Sequence, residues 1–368
     1  MKNKQTIIGL TGNIATGKSV VRRMLANSGA LGIDGDELAH RMLYPGGPAY
    51  QPVIEAFGEA ILSENQQISR RKLGEIVFND PDMLEKLESL VHPAVTQSIL
   101  QRAERSQQPV IVIEAIKLLE AGLGEICDTI WVSHASPDHQ LERLMHTRQM
   151  DREEARNRIA GQPPQSTKRS RADIVINTEG PFKATWHQVQ QALNDTIKTN
   201  KINVPQNIKN AQGWESQTPN NLPVTDFEAF WRKNSSGDIP GLYESLGMRM
   251  VLPILFDSKL ESLVIWKNSN FTAALSKEIQ SQSFKDADVP VLQAFEGHSE
   301  RKQCEILFAP DRFRSDDQLI SAGFERCLVE DLDYPAWRMA GERFVNSTSE
   351  ETWVKIIAQP IETSQKFI

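Results

Sequence analysis

The chain has 368 residues, enough at roughly 150 residues per domain for two or three domains, each able to bury a core without disulfides or metals. Apolar residues make up 39% and charged residues 24%, with 21 Gly and 19 Pro, which excludes a mainly disordered, collagenous or coiled-coil chain. The 41 basic and 48 acidic side chains leave a net charge of -7, which argues against a general nucleic-acid binder.

Three scattered cysteines, Cys127, Cys304 and Cys327, suit neither a disulfide framework nor a cysteine zinc site. They fit a reducing cytosol, so the expected setting is cytoplasmic. The first residues are short and polar and the apolar run after them stops at Gly12, unlike a signal peptide. No stretch approaches the roughly 20 apolar residues of a membrane span, so no membrane association is expected.

Taken in order, TIIGL at 6–10 predicts a strand, GNIATGKS at 12–19 breaks it, and VVRRMLANSG at 20–29 resumes at helical period. ALGI at 30–33 predicts a second strand ending at Asp34. Residues 48–104 read as mostly helical with a hinge at Asp80 and Pro81. VIVI at 110–113, closed by Glu114, reads as a strand covered on both faces. TIWVS at 129–133 follows, then a helix opened by Pro137, a second helix at 151–161, a strand at 172–177 and a helix at 181–197. Strands alternating with helices predict a mostly parallel sheet with helices on both faces.

Residues 199–222, rich in Asn and without a period, read as an interdomain linker; a long surface loop is the alternative. Residues 223–368 read as a second, mixed α/β domain. It starts with a helix near 227–231 and two antiparallel strands at 249–256 and 260–266. A helix at 270–280 and strands at 289–295 and 304–310 come next. A helix at 312–322, the segment 325–332 and a strand at 353–359 close it. Trp231, Trp266 and Trp337 are expected in the core.

Gly12, Asn13, Ile14, Ala15, Thr16, Gly17, Lys18 and Ser19 match G-x-x-x-x-G-K-[ST] between a predicted strand and a predicted helix. Glycines at both ends let backbone N–H groups wrap a phosphate, and the start of the helix, at Val20, adds partial positive charge. Lys18 is placed to reach the β and γ phosphates of ATP, and Ser19 to offer a hydroxyl oxygen to Mg²⁺.

Asp34 ends the second strand, 16 residues after Lys18, so a doubly wound sheet brings both to one crevice. A carboxylate there is able to accept the proton of an attacking hydroxyl. Asp36 either reaches the metal's water shell or caps a helix beginning at Glu37. Glu114 stands where an acid steadies Mg²⁺ or a substrate; helix capping is the alternative. Between 143 and 171 the charge reverses sign, with Arg143, Arg148, Arg152, Arg156, Arg158, Lys168, Arg169 and Arg171. Two helices joined at 149–151 would form a lid that excludes water, with Arg143 and Arg148 bracing the transferred phosphoryl group. The segment lacks interleaved aromatics and any nucleic-acid module, so no nucleic-acid partner is expected.

With GLTGNIATGKS at 9–19, IDGDELAH at 33–40, PGGPAY at 45–50, VHP at 91–93, LERLM at 141–145, Gln162 with Pro163, and ADIVINTEG at 172–180, the first half resembles the dephospho-coenzyme A kinase family. The resemblance spans about residues 5–197. It implies a P-loop kinase with a helical lid, using ATP and Mg²⁺ to phosphorylate the ribose 3′-hydroxyl of dephospho-coenzyme A. It implies Asp34 as the base, Arg148 as the lid arginine after a one-residue shift, and substrate contacts from Asp34, Asp36, His92, Glu114 and Lys117. Family members commonly carry Asp-x-Pro after the third strand; here Glu114-Ala115-Ile116 stands, and Lys117 adds a charge beside the phosphates. A related nucleoside or nucleotide kinase, or a nucleotide-sensing protein whose second half recruits a partner, are the alternatives. A monomer or weak homo-oligomer is expected.

Residues 223–368 distantly resemble a GCN5-related N-acetyltransferase domain, without the Arg/Gln-x-x-Gly-x-Gly/Ala turn that cradles the coenzyme pyrophosphate. The implied division is 1–198 kinase-like, 199–222 linker and 223–368 mixed α/β.

Overall fold

The computed structural model describes residues 5–200 without interruption. Beyond them it describes 207–209, 214–217, 224–235, 237–256, 259–268, 272–280, 302–309, 316–332 and 351–358, with positions 292, 295, 296, 299, 337 and 338.

The first half is built on five parallel strands in the order β2-β3-β1-β4-β5. These are β1 (Thr6–Thr11), β2 (Leu31–Asp34), β3 (Val110–Glu114), β4 (Thr129–His134) and β5 (Ile174–Asn177). Every residue of β3 is buried, as expected of a central parallel strand with both faces covered. Helix α1 (Lys18–Asn27) joins β1 to β2, and α2 (Gly35–Met42) leaves β2 directly.

Between α2 and β3 lies the helical region: α3 (Tyr50–Phe57), α4 (Arg70–Val77) and the long α5 (Pro81–Arg105). The predicted hinge is the start of α5, where the Asp80 side chain accepts from the N–H groups of Asp82 and Met83 and Pro81 takes the first helical position. After β4 come α6 (Pro137–Arg148), α7 (Arg152–Ala160) and α8 (Gln165–Arg169). Helix α6 is capped by Ser136 and stops at Gln149, whose φ of 52° is left-handed; Asp151 caps α7. This is the expected pair of lid helices. Helix α9 (Phe182–Asn200) closes the half.

Among the described residues, the second half is a mixed sheet of eight strands, with helices α10 (Val224–Asn234), α11 (Ile239–Met248) and α12 (Asp316–Ser321). Its strands are β6 (Asn207–Lys209), β7 (Trp214–Gln217), β8 (Met250–Phe256), β9 (Lys259–Asn268), β10 (Thr272–Gln280), β11 (Ile306–Ala309), β12 (Glu325–Leu328) and β13 (Glu351–Ile356). They lie in the order β12-β13-β11-β10-β9-β8-β7-β6, antiparallel except between β10 and β11.

Three expectations differ from this. The segment expected to link the halves carries the β6–β7 hairpin, paired onto β8; its residues 201–206, 210–213 and 218–223 lie outside the described residues. The helix expected at 270–280 is strand β10, paired on both sides. Its Ala, Leu, Lys, Glu and Gln favour helix, but strand pairing on both edges overrides local propensity. Within the strand expected at 289–295, Leu292 and Phe295 are helical and buried, and Ser299 continues the i, i+3, i+7 spacing. A short apolar run does not separate strand from buried helix by period alone. Residues 333–336 and 339–350, within the acetyltransferase-like segment, lie outside the described residues, as does Gly297.

The two halves share a core. Val21, Met24 and Leu25 of α1 and Trp186, Val189 and Leu193 of α9 form one buried cluster with Trp231, Leu242, Tyr243, Leu246, Val251 and Ile265 of the second half. Trp266 and Trp337 are also fully buried. Polar contacts tie the seam. The Asn27 amide donates to the Leu246 and Arg249 carbonyls at 2.8 and 2.9 Å and accepts from the Val251 N–H at 2.9 Å. Buried Lys302 donates to the Ala26 and Ala30 carbonyls at 2.9 and 2.6 Å, where α1 ends. Arg41 of α2 pairs with Glu305 at 2.8 Å, both buried, and Trp337 Nε1 donates to the same carboxylate at 2.9 Å.

Candidate active site

The loop Gly12–Gly17 leaves the carboxyl end of β1 and opens α1. Only glycine fits at 12: a Cβ there would lie 2.6 Å from Ser133 O and from Thr16 Oγ1. Ala15, where the resemblance has glycine, holds a left-handed φ of 57°. The Thr16 hydroxyl donates to Asn13 O at 2.8 Å and lies 2.7 Å from Ser133 Oγ. Lys18 is buried and its Nζ donates to Asn13 O at 3.0 Å. Burial pushes the amine's pKa below its ordinary value although the Glu114 and Asp36 charges oppose the shift. The Val20 N–H lies 3.0 Å from Gly17 O, within the first turn of α1.

The lid stands on this loop. Gln162 Oε1 accepts from the Ile14 N–H at 2.6 Å, Gln140 Nε2 donates to Ile14 O at 2.6 Å, and Asn13 Nδ2 donates to Pro163 O at 2.8 Å. Arg143 donates to Ala15 O at 3.0 Å, to Thr178 Oγ1 at 2.9 Å and to the Thr178 carbonyl. Its guanidinium is therefore engaged in bracing the loop. Arg148, at the end of α6, is exposed, and its positive charge reaches Lys18. The two arginines expected to act together thus make different contacts.

The acidic wall lies beside the loop. Asp34 and Glu114 are register partners at the ends of β2 and β3, and Leu10, next to the loop, is Glu114's partner on the other side. Asp34 is the cap of α2: its Oδ1 accepts from the Glu37 N–H at 3.0 Å. The capping role weighed for Asp36 belongs to Asp34, because the helix starts at Gly35, two residues before the expected Glu37. Asp36 points to solvent at the cleft and accepts from the Ile116 backbone; shielding by the cleft walls, then the Asp34 charge, push its carboxyl up to about 6.

Glu114 is buried, accepting from Ser19 Oγ at 2.8 Å and from Arg22 Nε at 2.5 Å. Burial alone would raise its pKa; the Arg22 and Lys18 charges outweigh it and hold the carboxyl below the ordinary range. Because the Ser19 hydroxyl donates to Glu114, its oxygen lone pairs remain open, a hard-oxygen arrangement that fits Mg²⁺.

Two further expected contacts stand at the helical region. Lys117 pairs with Glu88 of α5 at 2.5 Å on the surface, so its charge is taken up there. His92 sits one turn after Glu88 on α5, half-buried, on the side of the helical region. Two further residues belong to the site. Arg22 joins Glu114 to Asp34. Lys168, nearly buried, donates to the Ile116 carbonyl, lies 3.3 Å from Glu120 and adds charge near Lys18. Lys168 stood out only as one of a basic run; Arg22 carried a spacing signal, one helical turn after Lys18.

Comparison with known proteins agrees with this architecture. The family model for dephospho-CoA kinase matches residues 6–183. The dephospho-CoA kinase of Geobacter metallireducens is 41% identical over 197 residues, which cover 53% of this chain and 98% of that protein. That of Geobacillus kaustophilus is 43% identical over 189 residues, 50% of this chain and 94% of the relative. Among solved structures, an acetyltransferase from Streptococcus agalactiae is similar to 40% of this chain, over 99% of its own length, at 13% identity and a TM-score of 0.27. That likeness settles no activity for this chain. The phosphate loop, the acid-ended strands beside it, the lid that stands on it and relatives matched over nearly their whole length give one conclusion: the chain belongs to the dephospho-coenzyme A kinase family, ATP-dependent kinases that convert dephospho-coenzyme A to coenzyme A.

Proposed function

We propose that this protein transfers the γ-phosphoryl group of ATP to the ribose 3′-hydroxyl of dephospho-coenzyme A in the crevice between the phosphate loop and Asp34. One observation carries the reading: Asp34 and the loop emerge at the same sheet edge, flanking Glu114, with Asp34 partly open and Glu114 buried.

In this reading the backbone N–H groups of residues 12–19 cradle the phosphates, and Lys18 leaves its loop carbonyl to meet them. Asp34 accepts the proton of the attacking hydroxyl. Glu114 keeps the Ser19 hydroxyl turned so that its lone pairs face the phosphates. Ser19, with Glu114 acting through it, would hold Mg²⁺, which when bound offsets charge on the β and γ phosphate oxygens. Arg148 swings with the lid to meet the transferred group, whereas Arg143, Gln140 and Gln162 carry the lid's position to the loop. Asp36 and His92 border the acceptor's path. A cytoplasmic setting is supported by three free thiols.

A coupled ADP-release assay across acceptors tests the substrate. Dephospho-coenzyme A is expected to be turned over with a kcat/KM at least about 100-fold above adenosine or a nucleoside monophosphate, the kind of ratio that hydrogen-bonded recognition gives. Equal or better turnover of a nucleoside would overturn the reading.

A further inference from the structure

Arg22 takes no part in the chemistry above, yet it is among the most enclosed charges in the molecule, 5% exposed. It sits one helical turn after Lys18 on α1, so the two cations share a face. Lys18 serves the loop, and Arg22 reaches the strand ends below it. Its Nε donates to Glu114 Oε2 at 2.5 Å and one terminal nitrogen donates to Asp34 Oδ2 at 3.3 Å.

These two acids are register partners on adjacent parallel strands, about 5 Å apart at the backbone. Two carboxylates side by side in a partly buried site repel, and a planar fork with five donors can serve both at once where a point charge cannot. The sequence leaves room for it. Gly32 of β2 lies under the arginine stem, and a Cβ there would come 3.1 Å from Arg22 Cγ.

The consequence for Asp34 is geometric. Its Oδ1 is tied to the Glu37 N–H at 3.0 Å and its Oδ2 to Arg22, so the carboxylate cannot turn about its last bond. We propose that Arg22 is a positioning residue for phosphoryl transfer, holding the Asp34 carboxylate in its orientation toward the acceptor and coupling it to Glu114; this rests on the reading of Asp34 as proton acceptor.

The test is a double-mutant cycle. Arg22→Met and Arg22→Lys are made alone and in the Asp34→Asn background. Steady-state kinetics are measured with dephospho-coenzyme A, and ATP binding is measured by titration calorimetry. Thermal denaturation checks folding; Arg22→Lys, which keeps the charge, carries the test where Arg22→Met does not fold. The single variants are expected to lose about 10- to 100-fold in kcat, the cost of roughly 1 Å of misplacement. Measured without Mg²⁺, their ATP affinity should stay within about twofold of wild type, since the phosphate loop itself is untouched. In the Asp34→Asn background the same changes should add no further loss.

Unchanged kcat in Arg22→Lys beside a deficient Asp34→Asn overturns this proposal alone. So does an equal loss in both backgrounds, or a parallel fall in ATP affinity. Near-normal kcat in Asp34→Asn overturns the proton-acceptor reading and this proposal with it.

Discussion

Glu305→Ala would sever the buried tie between the two halves. The Arg41 guanidinium nitrogen lies 2.9 and 2.8 Å from the two Glu305 oxygens, and the side chains are 7% and 1% exposed. Truncating one partner of such a buried pair costs about 3–5 kcal/mol. Trp337 Nε1 loses its acceptor as well, adding about 1 kcal/mol or more. Against a total stability of about 5–15 kcal/mol, that is a large fraction. Because one apolar cluster runs through both halves, urea denaturation should show a single transition, shifted as a whole. Arg41→Met with Glu305→Leu should recover most of the loss, since an apolar pair of similar volume removes both charges. Arg41 also lies on the helix that Asp34 opens, so kcat should fall in Glu305→Ala at temperatures where the protein is still folded. A Glu305→Ala protein within about 1 kcal/mol of wild type, outside the ordinary range for a broken buried pair, would refute the seam as drawn.

Asp36 should act through pH. Its folded pKa, about 6, lies above the ordinary 3.8, so the folded state holds the extra proton between those values and stability falls as pH rises through the window. Asp36→Asn removes that fall and should match or exceed wild-type stability at pH 8, by about 1 kcal/mol or less because the group is exposed and screened, while pH 3 shows no gain. The two lid arginines should separate in kinetics. Arg148→Ala should lower kcat by about 10- to 1000-fold with little change in the KM for ATP, and Arg143→Ala, which frees the Ala15 and Thr178 carbonyls, should raise that KM. A shared phenotype would contradict the split of roles.

Legibility followed the range of the interactions. The phosphate loop was readable because its chemistry lies in eight consecutive residues, and the central strand because VIVI is buried on both faces. Asp34 is readable as a strand end, but the cap is weighed only for Asp36, beside a role at the metal's water, since the expected helix start lies two residues late. Arg22 has partners 12 and 92 positions away, and no local pattern announces them. Lys117 sits beside Glu114 in sequence yet turns to Glu88 on α5, which follows from packing alone. The seam between the halves was hidden for the same reason. Asn27, Lys302 and Glu305 are ordinary polar residues until the fold brings them together. A segment read as a linker left no cause to expect a shared core.

The central claim is that the carboxylate at position 34 takes the acceptor's proton while the amine at 18 holds the phosphates. Single-turnover transfer from ATP to dephospho-coenzyme A in Asp34→Asn measures it most directly, since the amide keeps the shape but not the basicity. The rate constant for transfer should fall by about 100- to 10,000-fold with ATP affinity preserved. Transfer within a few-fold of wild type would contradict the account.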